Sequence, residues 1–183
     1  AFGITAQTIT SDFIAVSDPA TAKIVQQIEV TVNTLTSAIN DSKVSQDTIM
    51  NSLANNIIKI ANNGTITNKT INLSSAQDIS GIVNQVISDN SEVTVSDDII
   101  SNSTTFIEAV NTSISNITVT GSFEEVFVKA TQITVATETI ASTGNFNSNN
   151  QVLAPTDAEI ASVAIESVFE PPDDSIRFQL YKN

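Results

Sequence analysis

The side chains of this chain that could take part in chemistry are mainly carboxylates. The sequence has 20 Asp and Glu residues but no His and no Cys. These absences exclude Ser-His-Asp and Cys-His nucleophiles and metal sites built on imidazole or thiolate. Carboxylates, Tyr181, Arg177 and six Lys remain for acid–base work, and the sequence has no Gly-rich phosphate-binding loop. We therefore predict that the protein is not an enzyme.

Two pairs of carboxylates are adjacent in sequence, Asp97-Asp98 and Glu124-Glu125. Catalytic carboxylates must converge across a cleft, whereas adjacent residues of a strand point to opposite faces of a sheet. These pairs are therefore more typical of a solvated turn or a helix cap than of an acid–base site.

Calcium is the metal that the oxygen-rich segments favour, because hard cations bind carboxylate and carbonyl oxygens. Asn145, Asn147 and Asn149 follow the spacing of the first half of a calcium-binding loop. That loop lacks Asp, and it has Asn150 where glycine is required and Thr156 where Glu is required. Asn in such a loop is otherwise typical of left-handed turns. The candidate calcium ligands are Asp89, Glu92, Asp97, Asp98, Asp173 and Asp174.

The composition indicates a folded acidic chain with one core, or one core and an extension. Its 183 residues include 25 Ile and 17 Val but only 5 Leu, beside 22 Ser, 23 Thr and 19 Asn. A net charge of −13 disfavours direct binding to nucleic acid and to anionic membranes, because their phosphate groups are repelled. No run of 18 apolar residues occurs, so we predict no membrane insertion.

Seven Asn-x-Ser/Thr sequences are glycosylation acceptors if the protein is secreted from a glycosylating cell. A chain so rich in Asn, Ser and Thr contains several of them by chance. They begin at Asn40, Asn63, Asn68, Asn72, Asn102, Asn111 and Asn116.

The spacing of apolar residues predicts four amphipathic helices between residues 20 and 116. Asp18 and Pro19 are typical of an N-cap and a first helical position, and the apolar residues that follow recur three and four residues apart, as in a coiled-coil seam. The same spacing returns after Ser75 and after Ser96. Between these helices, residues 65–73 are predicted as a short strand or extended loop and residues 92–95 as a strand or spacer.

The first helical stretch allows two interpretations. It is either one helix of roughly forty residues or a helical hairpin bent near Asn40. A polar gap at residues 40–43 and a cap-like Ser45 favour the hairpin. Asn56 falls on the continued seam, where it is either a buried residue that sets the register or a surface residue.

The pattern changes after residue 116. Alternation of Val and Ile with polar residues predicts strands over 117–141, followed by an Asn- and Ser-rich loop at 142–150. Thr156 and Glu159 have the spacing of a capping box and predict a helix over 157–169. A strand is the alternative there, because the segment is rich in β-branched residues.

The sequence therefore predicts an α+β fold. Residues 1–18 are expected to form an extended arm or strand, residues 19–116 a mainly helical region with a hairpin or coiled-coil-like arrangement, and residues 117–183 a β-rich region that ends in a strand at 176–181. One core is expected to be shared by these parts. An all-β fold with many short strands is the alternative, although five Gly are few for a protein rich in hairpins.

The same features predict a structural function. Three features favour a non-catalytic subunit of a self-assembling viral particle (capsid-associated or tail) or of an extracellular filament. They are the absence of a catalytic motif, an Ile/Val seam suited to self-association, and a surface of hydroxyls and amides. The partners of such a subunit would be copies of itself and other structural subunits, and its location would be the virion or the cell exterior. The alternative is a secreted or surface adhesion module that recognises a glycan or a receptor, which the scarcity of Tyr and Trp disfavours.

Overall fold

The computed structural model describes residues 18–40, 44–62, 70–118, 122–146 and 152–164. These residues form six helices and no strand. The helices are α1 (Pro19–Ile39), α2 (Gln46–Asn62), α3 (Ala76–Asp89), α4 (Asp97–Ser115), α5 (Phe123–Thr143) and α6 (Asp157–Ser162). The predicted β-rich C-terminal part and the all-β alternative are therefore wrong, whereas four helices are present between residues 19 and 115.

Side-chain caps start most of these helices. The Asp18 carboxylate accepts a hydrogen bond from the backbone N–H of Ala20 at 3.1 Å, Ser96 caps α4, and Ser122 caps α5. Thr156 and Glu159 form the predicted capping box of α6, with both reciprocal bonds present. An N-cap of this kind stabilises a helix by about 1 kcal/mol.

The bend predicted near Asn40 is present. Asn40 adopts the left-handed conformation (φ 43°, ψ 40°), and its N–H donates to the carbonyl oxygen of Thr36 at 3.1 Å. Asn tolerates this conformation better than most residues with a Cβ. Ser45 then caps α2 by accepting from the N–H of Thr48 at 3.2 Å. The polar gap thus ends one helix and the next begins at Gln46, as the hairpin interpretation expected.

α1 lies at the centre of the packing. It packs mainly against α5 and α4 and also contacts α2, while α2 packs against α3, α3 against α4, and α6 against α5. Buried side chains of the described residues form two clusters, to both of which α1 contributes. The first cluster includes Leu35, Ile49, Leu53, Ile82 and Val86. The second includes Val30, Phe106, Val110, Ala130 and Ile133.

The strands predicted over 117–141 are wrong, because the described residues from Phe123 onward form α5. Buried side chains recur in α5 at positions 126, 130, 133, 137 and 141, which is a helical period. Two of these positions are Ala and one is Thr, which a count of large apolar residues overlooks. Val128 is only half-buried and Val135 is exposed. The alternation that mimicked a strand therefore combined residues from different sides of one helix.

The structure also bears on two smaller predictions. Of the two alternatives for residues 92–95, the strand is wrong and the spacer is correct: the segment connects α3 and α4, with Val93 buried. The helix predicted over 157–169 begins at Asp157, but α6 ends at Ser162, and the next two residues are not helical. Residues 1–17 of the predicted arm (1–18), most of the extended segment 65–73 and the final strand at 176–181 lie outside the described residues.

Candidate functional site

The adjacent carboxylates lie in the first turns of two helices. Asp97 and Asp98 are exposed at the start of α4, and Glu124 and Glu125 are exposed at the start of α5. A negative charge at this end of a helix compensates the positive end of the helix dipole. These four side chains therefore have a local stabilising role, as the interpretation of the pairs as helix caps expected.

The candidate calcium ligands are only partly described. Asp89 ends α3, where its carboxylate accepts hydrogen bonds from the side-chain amides of Gln85 and Asn55 and thereby links α3 to α2. Glu92 is exposed in the turn that follows. Within the described ranges, no three or more Asp, Glu, His or Cys residues are grouped so that they could hold a metal ion. Asp173 and Asp174 lie outside these ranges, and calcium binding stays a prediction.

A groove of about 530 Å³ runs between α3 and α4. It is lined largely by small and hydroxyl side chains, among them Ser80, Ser101 and Thr105, and Asp97 is the one titratable side chain among the described residues that line it. A single carboxylate does not provide an acid–base pair. The hydroxyls can offer hydrogen bonds to a ligand.

A buried polar network fastens α1 to α4. Asn111 of α4 is fully buried, and its side-chain amide donates to the Thr31 hydroxyl at 3.1 Å and to the Leu73 carbonyl oxygen at 2.8 Å. The side-chain amide nitrogen of Gln27 lies 2.8 Å from the backbone carbonyl oxygen of Asn111 and 2.7 Å from the Ser115 hydroxyl oxygen. Burial removes Asn111 from the acceptor sequences that a glycosylating enzyme could reach in the folded protein.

Sequence reasoning did not find this network. The only sign of the network in the sequence is the helical spacing of Gln27, Thr31 and Thr34, which places three polar residues on a buried face of α1. A pattern that counts apolar residues alone assigns such positions to the surface. The network is better suited to fixing the alignment of α1 with α4 than to chemistry, because it contains amides and hydroxyls and no titratable group.

Lys23 secures the other end of the same interface. Its Nζ donates to the carbonyl oxygen of Ser115 at 3.0 Å and also to that of Ile117, so a cation lies at the C-terminal end of α4. A positive charge there compensates the negative end of the helix dipole. Burial lowers the pKa of the Lys23 ammonium below its usual value. The contact is thus electrostatic and structural.

A second polar cluster joins α1, α2 and α5. The side-chain amide of Asn33 donates to the Glu138 carboxylate, and the side-chain amide of Gln46 donates to the side-chain oxygen of Asn33 at 2.7 Å. The pKa of the neighbouring Glu29 carboxyl is raised, mainly because the carboxyl is partly buried and to a smaller extent because Glu138 repels it. This is a like-charge pair between α1 and α5 in a chain that already carries excess negative charge.

The outward face of α2 is the clearest candidate for a binding surface. Met50 is 44% exposed and Ile58 is 53% exposed, and Ala54 between them is exposed as well. Residues four positions apart lie on one face of a helix, so these three form an apolar stripe, which we name the outer stripe of α2. The buried face of the same helix carries Ile49 and Leu53. Sequence reasoning found the buried face and missed the outer stripe.

Asn56, which the sequence allows as either a buried or a surface residue, lies against α3. Asn56 is half-buried, and its side-chain amide donates to the Gly81 carbonyl oxygen at 3.2 Å. It therefore faces α3 of the same chain and bonds to that helix. This contact belongs to the intramolecular packing of α2, which leaves the outer stripe as a separate surface.

None of the described helices combines the length and the apolarity that crossing a bilayer requires. Comparison of the chain with protein-family models, with curated proteins and with solved structures finds no match in any of the three.

Proposed function

We propose that the protein is a non-catalytic structural subunit of a self-assembling particle, either a viral one (capsid-associated or tail) or an extracellular filament. The observation that carries this proposal is the outer stripe of α2, Met50, Ala54 and Ile58, an apolar surface on a helix whose other face is already buried. Contiguous exposed apolar surface is a recurrent feature of protein–protein contact sites. The partners are further copies of the chain and other structural subunits.

The placement of the titratable groups supports a function without catalysis. The paired carboxylates compensate helix dipoles at the starts of α4 and α5, and Lys23 does so at the end of α4. Among the described residues that line the groove between α3 and α4, Asp97 is the one titratable side chain. The net charge of −13 also disfavours a nucleic acid as the direct partner.

A second candidate function is an adhesion module that recognises a glycan or a receptor. The groove of about 530 Å³ between α3 and α4 favours it, because the hydroxyls of Ser80, Ser101 and Thr105 could hydrogen-bond to a sugar. The aromatic residues that the structure describes argue against it, because Phe106, Phe127 and Phe146 are buried and Phe123 is half-buried. Sugar sites usually rely on exposed rings as well as polar groups, so assembly is the better supported function.

Size-exclusion chromatography with light scattering over a concentration series tests the proposal. We expect the average mass to rise above the 19.4 kDa of one chain as the concentration increases. A monomer at every concentration would contradict the assembly proposal. Glycan-array binding by such a monomer, lost when Ser101 is replaced by a bulky residue, would favour the adhesion module instead.

A further inference from the structure

We propose that α2 pairs in antiparallel orientation with α2 of a second copy of this chain, through the outer stripe formed by Met50, Ala54 and Ile58. This inference rests on the proposed self-assembly and names the surface that serves it. The stripe is apolar and exposed, and it is separate from the face of α2 that packs in the protein's own core. Its three members cover two turns of the helix, enough for a helix–helix contact.

Charge selects a second copy as the occupant. The sequences of α3, α4, α5 and α6 each contain an excess of carboxylates, whereas α2 contains one acidic residue, Asp47, and one basic residue, Lys59. α1 is also balanced, but it lies between α4 and α5 at the centre of the packing. Two copies of a chain with a net charge of −13 therefore repel each other least when they meet through α2.

The position of Asp47 selects the antiparallel orientation. Asp47 belongs to the first turn of α2. A parallel pair would place the two Asp47 carboxylates beside each other, whereas an antiparallel pair places them at opposite ends of the contact. The helix dipoles also oppose each other in this orientation.

The spacing of the stripe fits a two-fold contact. Met50 and Ile58 are equally distant from Ala54 along the helix, so an axis through Ala54 places Met50 of one copy against Ile58 of the other. The small side chain of Ala54 allows the two backbones to approach closely. Helices that pack about 8–10 Å apart bring facing Cα atoms within the span of a disulfide bond.

Disulfide trapping tests this geometry against a clean background, because the chain has no Cys. Ala54→Cys should form a disulfide-linked dimer under mild oxidation at least about tenfold faster than the control Leu153→Cys. Leu153 is 68% exposed and is therefore the more accessible position for random collision. Circular dichroism of both variants checks that the helices are retained. Equal rates, or a faster control, would overturn the inference.

The arms of the experiment separate this inference from the proposed function. Wild-type protein that assembles in light scattering while Ala54→Cys crosslinks no faster than the control retains the function and refutes the interface. Wild-type protein that stays monomeric refutes both. Slow thiol labelling of Ala54→Cys in dilute monomer would show that another segment of the same chain covers the stripe, which also overturns the inference.

Discussion

Threonine and serine hydroxyls explain at the residue scale how a chain with so many polar side chains can be helical. The hydroxyls of Thr31, Thr134 and Thr137 are buried, and each donates to the carbonyl oxygen four residues earlier in its own helix, at distances of 2.7 to 3.1 Å. This bond satisfies the hydroxyl without a partner from another element. Burial of such a residue then costs little, because the polar group is not left without a hydrogen bond.

Thr34 provides a contrast that can be measured. Its hydroxyl is buried and has no hydrogen-bond partner, whereas the Thr31 hydroxyl on the same helix donates to the Gln27 carbonyl and accepts from Asn111. We expect Thr34→Val to raise the free energy of unfolding by about 1 kcal/mol, because an isosteric methyl replaces an unsatisfied group. The matched control Thr31→Val should lower it by about 1–3 kcal/mol. Chemical denaturation measures both, and a change of the same sign in the two variants would contradict the assignment.

Glu29 makes stability depend on pH. Because partial burial and repulsion from Glu138 raise the pKa of its carboxyl, the folded state holds this proton more tightly than the unfolded state does. Its stabilising contribution is therefore complete below the unfolded pKa, near 4.5, and is lost as the pH rises through the raised folded value. Glu29→Gln should stabilise the protein at pH 7, by less than about 1 kcal/mol because solvent screens the pair.

Denaturation of wild type and Glu29→Gln at two pH values and two salt concentrations checks this origin. The difference should disappear near pH 4, where the wild-type carboxyl is protonated, and should shrink at high ionic strength at pH 7. A difference that persists at pH 4 would mean that the substitution acts through packing and not through charge.

The helices show which parts of the fold were open to prediction. The spacing of large apolar residues predicted α1 to α4, Asp18 and the capping box of Thr156 located two helix starts, and the polar gap located the break at Asn40. α5 was not predicted, because three of the side chains on its buried face are Ala130, Thr137 and Ala141. A pattern of Val and Ile cannot reveal a face made of small and hydroxyl residues, since their burial is decided by tertiary packing.

The candidate site was predictable to a smaller extent. An Ile/Val seam suited to self-association was expected, but the seam residues Ile49 and Leu53 are buried within the same chain. The exposed stripe of α2 lies on another face of the helix and was not predicted. Ile57 and Ile58 are adjacent in sequence, and only the structure shows which of them is exposed. Sequence alone does not separate two apolar faces of one helix.

Ser122 provides a test of α5 as a helix. Its hydroxyl accepts from the N–H of Glu125 at 3.3 Å, and it is exposed, so its contribution is limited to capping. Ser122→Ala should lower the free energy of unfolding by about 1 kcal/mol, while Ser122→Asp, which retains a capping oxygen, should leave it nearly unchanged. Urea denaturation followed by far-UV circular dichroism measures both. If Ala and Asp have the same effect, Ser122 is not an N-cap.

At the scale of the whole molecule, two core clusters are joined through one helix. α1 contributes Leu35 to the first cluster and Val30 to the second, and polar contacts of Lys23 and Gln27 fasten it to α4. Carboxylates are in excess over basic residues in α3, α4, α5 and α6, so most of the described helices are acidic. Association of two such molecules must therefore overcome long-range repulsion before short-range apolar contacts contribute.

This balance predicts how salt affects assembly. Each copy carries a net charge of −13, whereas the proposed α2 contact is apolar, so screening weakens the repulsion between copies more than the attraction. Self-association measured by light scattering should strengthen as sodium chloride rises from low to physiological concentration. Association that weakens steadily with added salt would show that ion pairs, and not an apolar stripe, hold the copies together.

Calcium binding is tested by the melting temperature of the protein. If Asp89, Glu92, Asp97 or Asp98 binds calcium, calcium chloride at matched ionic strength should raise the melting temperature more than magnesium chloride does, and a chelator should reverse the rise.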